Sequence, residues 1–332
     1  NKVIQDHYPP GSTFKPIVAL AALEENVIGP NTLVYSPSQI RFGRRFYHNH
    51  SRTNYGEINV KQALEVSSNI FFYKMGISLG INNIAKYAKA LGIGQKTDIQ
   101  LGNEVSGLMP TEEWKKEALG EEWQPGENLS NAIGQGFVLT TPLQMVLAYN
   151  AIGQNGKLYK PMLVKQVISH QNKVVQTFDS QLVRDLMKPD HEGAKPLLSE
   201  RSLKTVREGM RRVANGDRGT ARWWKVPGIE LAGKTGTVQV RSFSADQIYD
   251  KCLERPLNQR HHGWFIAFAP AENPVITVAV LAERACAGSS GGAPIVRDVI
   301  QAFMEKYHSD WLKNEKKLIK KVESESPVNA DE

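Results

Sequence analysis

The stretch that decides the fold occupies residues 8–15 and reads Tyr-Pro-Pro-Gly-Ser-Thr-Phe-Lys. Its two prolines and its glycine exclude regular structure and predict a turn. The next ten residues, 16–25, are apolar on nearly every face, which predicts a helix buried inside a domain. Because proline is tolerated only in the first turn of a helix, Pro16 requires this helix to begin within a few residues of Ser12. Ser12 is therefore expected at a helix N-terminus, where free backbone N–H groups favour developing negative charge.

Lys15 follows Ser12 by three residues, and this spacing places both side chains on one helix face. A lysine that is desolvated against a buried helix can lose its proton and serve as the base that activates a serine. One Ser-x-x-Lys is expected by chance roughly once in a chain this long. Alone it is equally a helix cap followed by a solvated lysine, so the interpretation depends on further motifs.

Two further motifs follow Ser12 and Lys15 along the chain. Ser67-x-Asn69 interrupts an apolar helical pattern over residues 59–79, which indicates either a helix break facing a cleft or a locally satisfied kink. Lys234-Thr-Gly lies in a strand predicted over residues 230–240. Each motif is weak alone. All three in this order form the motif set of penicillin-binding proteins and serine β-lactamases.

Bulk composition limits the function classes. The 332 residues suffice for one large domain or two ordinary ones, and the net charge of +7 suits an anionic polymer or membrane face. No arginine-rich aromatic platform indicates nucleic acid, so no nucleic-acid partner is expected. The two cysteines and eight histidines show no metal-ligand spacing, and we expect neither a metal nor a cofactor. No apolar run could cross a bilayer, and the chain begins in mid-pattern, so we interpret it as a fragment.

The order of the predicted elements indicates the fold class. Helical patterns dominate the middle of the chain, and consecutive strands follow late, which favours an α+β fold with one antiparallel sheet and an all-helical lobe. Residues 1–7 are predicted to end a strand, and residues 31–56 to form a polar loop. The predicted domain covers residues 1–309. The charged and then Glu/Ser/Asn-rich segment 310–332 is predicted to be a disordered tail.

Several stretches carry a resemblance to a known family. The chain resembles a class B penicillin-binding protein, and residues 108–114 and 133–136 are more similar to the elongation type, penicillin-binding protein 2, than to the division type. The resemblance extends to about residue 310. The other stretches that carry it are 8–15, 131–136, 141–145, 234–240 and 264–270.

The resemblance implies a penicillin-binding-protein and serine β-lactamase-like transpeptidase fold. It implies a peptidoglycan D,D-transpeptidase that cross-links D-Ala-D-Ala stem peptides in cell elongation and rod-shape maintenance and that is a target of β-lactam antibiotics. It also implies an N-terminal inner-membrane anchor and a pedestal absent from this chain, with the catalytic domain in the periplasm. The implied partners are an integral-membrane glycan polymerase and other proteins of the elongation machinery.

The predicted catalytic residues are Ser12, Lys15, Ser67 and Asn69. Ser12 attacks the carbonyl and forms an acyl-enzyme, and Lys15 takes its proton. Ser67 relays a proton to the leaving amine, while Asn69 holds Lys15 and the substrate amide.

The predicted substrate-binding residues are Lys234, Thr235, Gly236 and Thr237. Lys234 supplies positive charge for a substrate carboxylate, and the two threonines offer it hydroxyl groups. Gly236 lets the substrate backbone approach the strand.

Two alternative functions share these motifs. A serine β-lactamase must also hydrolyse its acyl-enzyme, and the pattern from Glu127 to Asn131 is superficially that of a deacylating Glu-x-x-x-Asn. A β-lactam sensor is the other alternative.

Cys252 and Cys286 lie in two loops that an antiparallel meander brings to one edge of the sheet. Our hypothesis is that they pair in the oxidising periplasm, the alternative being two unpaired side chains.

Overall fold

The computed structural model describes residues 1–239 and 251–309. Helices and short strands alternate up to residue 215, and the longest strands follow. The helices are α1 Lys15–Glu24, α2 Val60–Glu65, α3 Asn69–Ala90, α4 Glu112–Leu119, α5 Glu127–Ala132, α6 Pro142–Gly153, α7 Glu200–Asn215, α8 Gly288–Gly291 and α9 Ala293–Tyr307. The strands are β1 Val34–Ser36, β2 Gln39–Phe42, β3 Arg45–His48, β4 Gly56–Ile58, β5 Lys157–Tyr159, β6 Gln166–Ile168, β7 Val174–Thr177, β8 Leu182–Asp185, β9 Ala232–Val238, β10 His262–Ala269 and β11 Ile276–Ala282.

The late strands form a three-stranded antiparallel meander in the order β11-β10-β9. Because side chains alternate along a strand, the central strand β10 contributes side chains to two hydrophobic cores. Trp264 and Ile266 pack into the large core of the helical lobe, whereas Phe265 and Ala267 pack into a smaller core beneath α9. The predicted α+β architecture, with a sheet and a helical lobe, is confirmed.

Helix α1 lies in the middle of the helical lobe. From Lys15 to Leu23 every residue is buried, because apolar side chains cover every face and α3 and α7 pack around them. Tyr149 on α6 donates a buried hydrogen bond to the Thr13 carbonyl at 2.7 Å, which fixes the turn before α1. The buried helix predicted over residues 16–25 is confirmed.

Three details differ from the sequence-based expectations. Residues 1–7 form turns, and only Tyr8 makes a strand-like bridge, to Thr140. The polar segment 31–56 contains β1 to β3 and the start of β4, because its few apolar side chains pack against the core. The helical pattern of residues 59–79 divides between α2 and α3, and α3 continues to Ala90 through the non-helical Gly80.

Strands β6 and β7 form a hairpin around residues 169–172, and α9 is the last helix of the described residues. The predicted tail 310–332 and the end of the strand predicted at Val240 lie outside the described residues. Across residues 1–239 and 251–309, no helix combines the length and the apolar character that a bilayer crossing requires.

Candidate active site

Ser12 lies in the single 3₁₀ turn Gly11–Phe14 that leads directly into α1. The Lys15 N–H donates to the Ser12 carbonyl, and side chains three residues apart eclipse in this geometry. Gly134 packs directly against this turn. Its carbonyl accepts a hydrogen bond from Gly11 N at 2.8 Å, and a Cβ at residue 134 would lie only 2.2 Å from the Gly11 oxygen. The serine turn therefore needs glycine at residue 134, whose φ is +71°.

The Lys15 side chain is fully buried yet has polar partners. Its Nζ donates to the Ser67 carbonyl at 2.8 Å and to Asn69 Oδ1 at 2.7 Å, and it lies 3.3 Å from Ser67 Oγ. Burial, together with the neighbouring charge of Lys234, lowers the pKa of Lys15 well below its usual range. A neutral amine has two N–H groups, which these two good acceptors satisfy, and its lone pair is left for a hydroxyl proton.

Ser67 and Asn69 reach Lys15 because the chain breaks between α2 and α3. Ser67 has a left-handed φ of +56°, an uncommon conformation for a residue with a side chain. Two hydrogen bonds orient the Asn69 amide: Oδ1 accepts from Lys15 Nζ, and Nδ2 donates to the His48 carbonyl at 3.2 Å. Ser68, between them, caps α3 by accepting from Phe71 N at 3.2 Å. Both interpretations of this break therefore apply. Ser67 and Asn69 face the cavity, and Ser68 satisfies the start of α3 locally.

Sequence reasoning missed Asn49, whose buried amide holds this break in place. Its Nδ2 donates to Ser36 Oγ at 3.1 Å, and its Oδ1 accepts from Ser68 Oγ at 3.2 Å and from Ile70 N at 3.0 Å. Asn49 also adjoins His48, whose carbonyl binds Asn69. No local pattern signals this role, because the three segments that meet here are separated in the sequence.

Strand β9 supplies the opposite wall. Lys234 is fully buried and donates to the Thr235 carbonyl at 3.1 Å, and burial lowers the pKa of Lys234 to about 7. The Thr235 hydroxyl lies 2.7 Å from that of Thr220. Gly236 packs tightly on the serine turn, since a Cβ there would lie 3.0 Å from Thr13 Cγ2. The first and third motifs are thus in direct contact.

A cavity of about 810 Å³ lies between these walls. Six of the eight predicted site residues line it, and the other two, Lys15 and Lys234, are fully buried. The lining six are Ser12, Ser67, Asn69, Thr235, Gly236 and Thr237. Thr220 lines the cavity as well, and the sequence analysis did not predict it. Gly219, directly before it, is the only nearby residue that could have drawn attention to this loop. In the described part of the chain no group of three His, Cys, Asp or Glu side chains is arranged as metal ligands.

Glu127, the residue of the β-lactamase alternative, is not among the residues that line this cavity. Its carboxylate accepts from the nearly buried Lys115 at 2.7 Å and from Gln124 N at 2.8 Å. A carboxylate occupied in this way stabilises the segment around α5 and is not placed to activate a water at Ser12.

The two cysteines form a disulfide at the cavity rim, with their Cα atoms 5.7 Å apart. As the meander predicted, the connections that follow β9 and β11 meet at one edge of the sheet. Cys286 N also donates to the His261 carbonyl at 2.9 Å, which ties the second connection to the start of β10.

The geometry of this site can be compared with known proteins. The penicillin binding protein transpeptidase domain family matches residues 1–301. The chain belongs to this transpeptidase family. Its relatives include the peptidoglycan D,D-transpeptidase MrdA of Haemophilus influenzae, 32% identical over 92% of this chain. This chain spans only 45% of that transpeptidase's length.

Two solved PBP2 structures have the same fold. Pseudomonas aeruginosa PBP2, in complex with WCK 5153, is 32% identical, with a TM-score of 0.76 over 92% of this chain and 62% of that one. Helicobacter pylori PBP2, in complex with MreC, is 29% identical, with a TM-score of 0.77 over 93% of this chain and 51% of that one. The resemblance to penicillin-binding protein 2 is confirmed.

Proposed function

We propose that this chain is the transpeptidase domain of an elongation-type class B penicillin-binding protein, and that it cross-links peptidoglycan stem peptides through an acyl-enzyme on Ser12. The observation that carries the proposal is the fully buried Lys15, held by Ser67 and Asn69 three residues from a serine at a helix N-terminus. This arrangement supplies a nucleophile, a base and an oriented amide in one cavity.

In the acylation step the neutral Lys15 amine takes the Ser12 hydroxyl proton as Ser12 Oγ attacks the D-Ala-D-Ala carbonyl. Ser67 Oγ, 3.3 Å from Lys15 Nζ, passes that proton to the departing D-Ala amine. Backbone N–H groups of Ser12 and of Thr237 on the edge strand β9 stabilise the oxyanion. The amine of a second stem peptide then attacks the ester, and Ser12 recovers its proton.

The terminal carboxylate of the donor binds along β9. Thr235 and Thr237 line the cavity and offer hydroxyl groups, and Lys234 behind them supplies positive charge. With its pKa near 7, Lys234 is only partly charged at neutral pH. An arriving carboxylate raises that pKa again, so the full charge develops when substrate is bound.

Transfer to an amine is favoured over rapid hydrolysis, because Glu127 is paired with Lys115 away from the cavity. The β-lactam sensor alternative is disfavoured because every residue type needed for turnover is present. β-Lactams are expected to acylate Ser12 and to remain bound.

The test follows a fluorescent penicillin on the purified chain. We expect a stable adduct on Ser12 that persists for many minutes, no labelling of Ser12→Ala, and greatly slowed labelling of Lys15→Ala. Ser289→Ala is the matched control, because Ser289 lines the same cavity without a basic partner in the described structure, and it should label normally. Labelling of folded Ser12→Ala, or loss of the adduct within seconds, would contradict the proposal.

We also propose that the intact protein is anchored in the inner membrane with this domain in the periplasm. It would act with a glycan polymerase and other elongation proteins. The complex of the Helicobacter pylori relative with MreC supports the binding of a protein partner. Co-purification of the full-length protein with a membrane polymerase tests the proposal, and a full-length protein found only as a soluble monomer would contradict it.

A further inference from the structure

The loop of residues 216–222 forms a wall of the cavity and is built on a buried carboxylate. Glu65, at the end of α2, is 8% exposed, and its Oε1 accepts from Arg218 N at 3.2 Å. The Glu65 carbonyl accepts from Thr220 N at 3.3 Å. Glu65 lies two residues before Ser67. Its hydrogen bonds therefore fix the position of the loop relative to the break between α2 and α3.

Within this loop two residues face different parts of the cavity. Thr220 reaches strand β9 through its hydroxyl contact with Thr235. Arg218 instead lies over the Tyr55 ring, with its guanidinium carbon 5.6 Å from the ring centroid. Tyr55 in turn donates to the Val66 carbonyl at 3.4 Å, next to Ser67. The Arg218 guanidinium therefore lies beside the Tyr55 ring, whose hydroxyl reaches the residue next to Ser67.

The Arg218 guanidinium has no anionic partner in the described parts of the chain. No carboxylate within residues 1–239 and 251–309 forms an ion pair with it, and its side chain donates no hydrogen bond there. Arg222, which lines the same cavity, differs: its Nη1 donates to the Gly219 carbonyl and its guanidinium lies over the Trp223 ring at 4.7 Å. The exposed Arg218 side chain thus presents a planar fork of N–H donors beside the Tyr55 ring, where it can bind a carboxylate.

We propose that Arg218, oriented by Tyr55, is a specificity-determining residue that binds a second carboxylate of the peptide donor, distinct from the C-terminal carboxylate bound along β9. The proposal rests on the proposed transpeptidase function. Asp217 is the only acidic residue among those described as lining the cavity, which also favours an anionic ligand. Substrates would then be peptides that carry a free side-chain or α-carboxylate upstream of the D-Ala-D-Ala end.

The experiment compares two thioester donors that differ in one group, a free carboxylate or its primary carboxamide, upstream of the scissile bond. Acylation of Ser12 is measured with the unaltered chain, with Arg218→Gln and with Arg222→Gln. We expect Arg218→Gln to reduce kcat/KM for the acid donor about tenfold or more and to leave the amide donor within about twofold. Arg222→Gln, the matched control in the same loop, should treat both donors as the unaltered chain does.

Penicillin labelling separates this proposal from the proposed function. A penicillin carries the equivalent of the terminal carboxylate alone, so Arg218→Gln should label at a rate within about twofold of the unaltered chain. Equal losses for the two donors, no loss for either, or an equal effect of Arg222→Gln would overturn the role of Arg218. Slower penicillin labelling of Arg218→Gln would also overturn it, by placing Arg218 at the terminal carboxylate. Failure of the unaltered chain to label at all would instead contradict the transpeptidase proposal.

Discussion

Two fully buried lysines, Lys15 and Lys234, dominate the electrostatics of the site. Each loses hydration on folding, and the charge of Lys234 further lowers the pKa of Lys15. A buried charge without a carboxylate partner is costly, so the folded protein favours the neutral amines. The desolvation that favours a neutral Lys15 amine, the form that the proposed mechanism requires, therefore reduces the stability of the folded domain.

The pKa of Lys234, about 7 in the folded protein against 10.5 usually, predicts a pH dependence of stability. Between these values the unfolded chain holds a proton that the folded protein has released, so raising the pH favours folding. We expect Lys234→Met to be more stable than the unaltered chain at pH 7, and the difference to shrink as the pH rises toward 10. The change across that window is at most about 5 kcal/mol.

Urea unfolding at several pH values measures this difference. Lys225→Met is the matched control, because it removes an exposed lysine in place of a buried one. A stability difference for Lys234→Met that stays constant from pH 7 to 10 would show that burial does not lower the Lys234 pKa.

At the scale of elements, the site depends on short connections. The break between α2 and α3 places Ser67 and Asn69 on Lys15, and the Asn49 side chain ties that break to β1. The disulfide ties the connection after β9 to the one after β11, at the rim of the cavity. Both contacts join chain segments that are separated in the sequence.

Reduction of the disulfide is expected to destabilise the domain. The bond closes a loop with a sequence separation of 34 residues, and loop-closure entropy for that length corresponds to about 3–4 kcal/mol. We expect no free thiol in the oxidised, unfolded protein and a lower melting temperature after reduction. In Cys252→Ser, reductant should leave the melting temperature unchanged. Two titratable thiols in the non-reduced protein would contradict the bond.

At the scale of the whole molecule, the cavity lies where the helical lobe meets the edge strand β9. The serine turn lies between them, since it leads into α1 and packs on Gly236. Helix α9 closes the far side of the sheet through Val296, Ile300 and Met304. The domain boundary predicted at residue 309 therefore follows a helix that completes a core.

Removal of residues 310–332 is expected to leave penicillin labelling and the melting temperature unchanged, because that charged segment has too few apolar residues to add to a core. The matched control ends the chain at Asp298, which removes the buried Ile300 and Met304 and should lower the melting temperature markedly. A comparable loss of stability on removing only residues 310–332 would show that the tail belongs to the domain.

The amino-acid sequence by itself determined the serine turn, the buried helix after it and the late antiparallel strands. Each of these follows from local chemistry: Pro16 limits where the helix can begin, Gly11 permits the positive φ of the turn before Ser12, and side chains alternate along β10. The order of the three motifs also limited the family to penicillin-binding proteins and serine β-lactamases, because each motif is a short contiguous pattern.

Only the tertiary structure decided which distant residues meet. The burial that lowers the pKa of Lys15 comes from packing against residues more than fifty positions away. The Thr220–Thr235 contact and the stacking of Arg218 on Tyr55 join separate loops, and no local pattern encodes such pairs. Their proximity results from the packing of the helical lobe against the sheet, since desolvation and hydrogen bonding between chain segments depend on the complete fold.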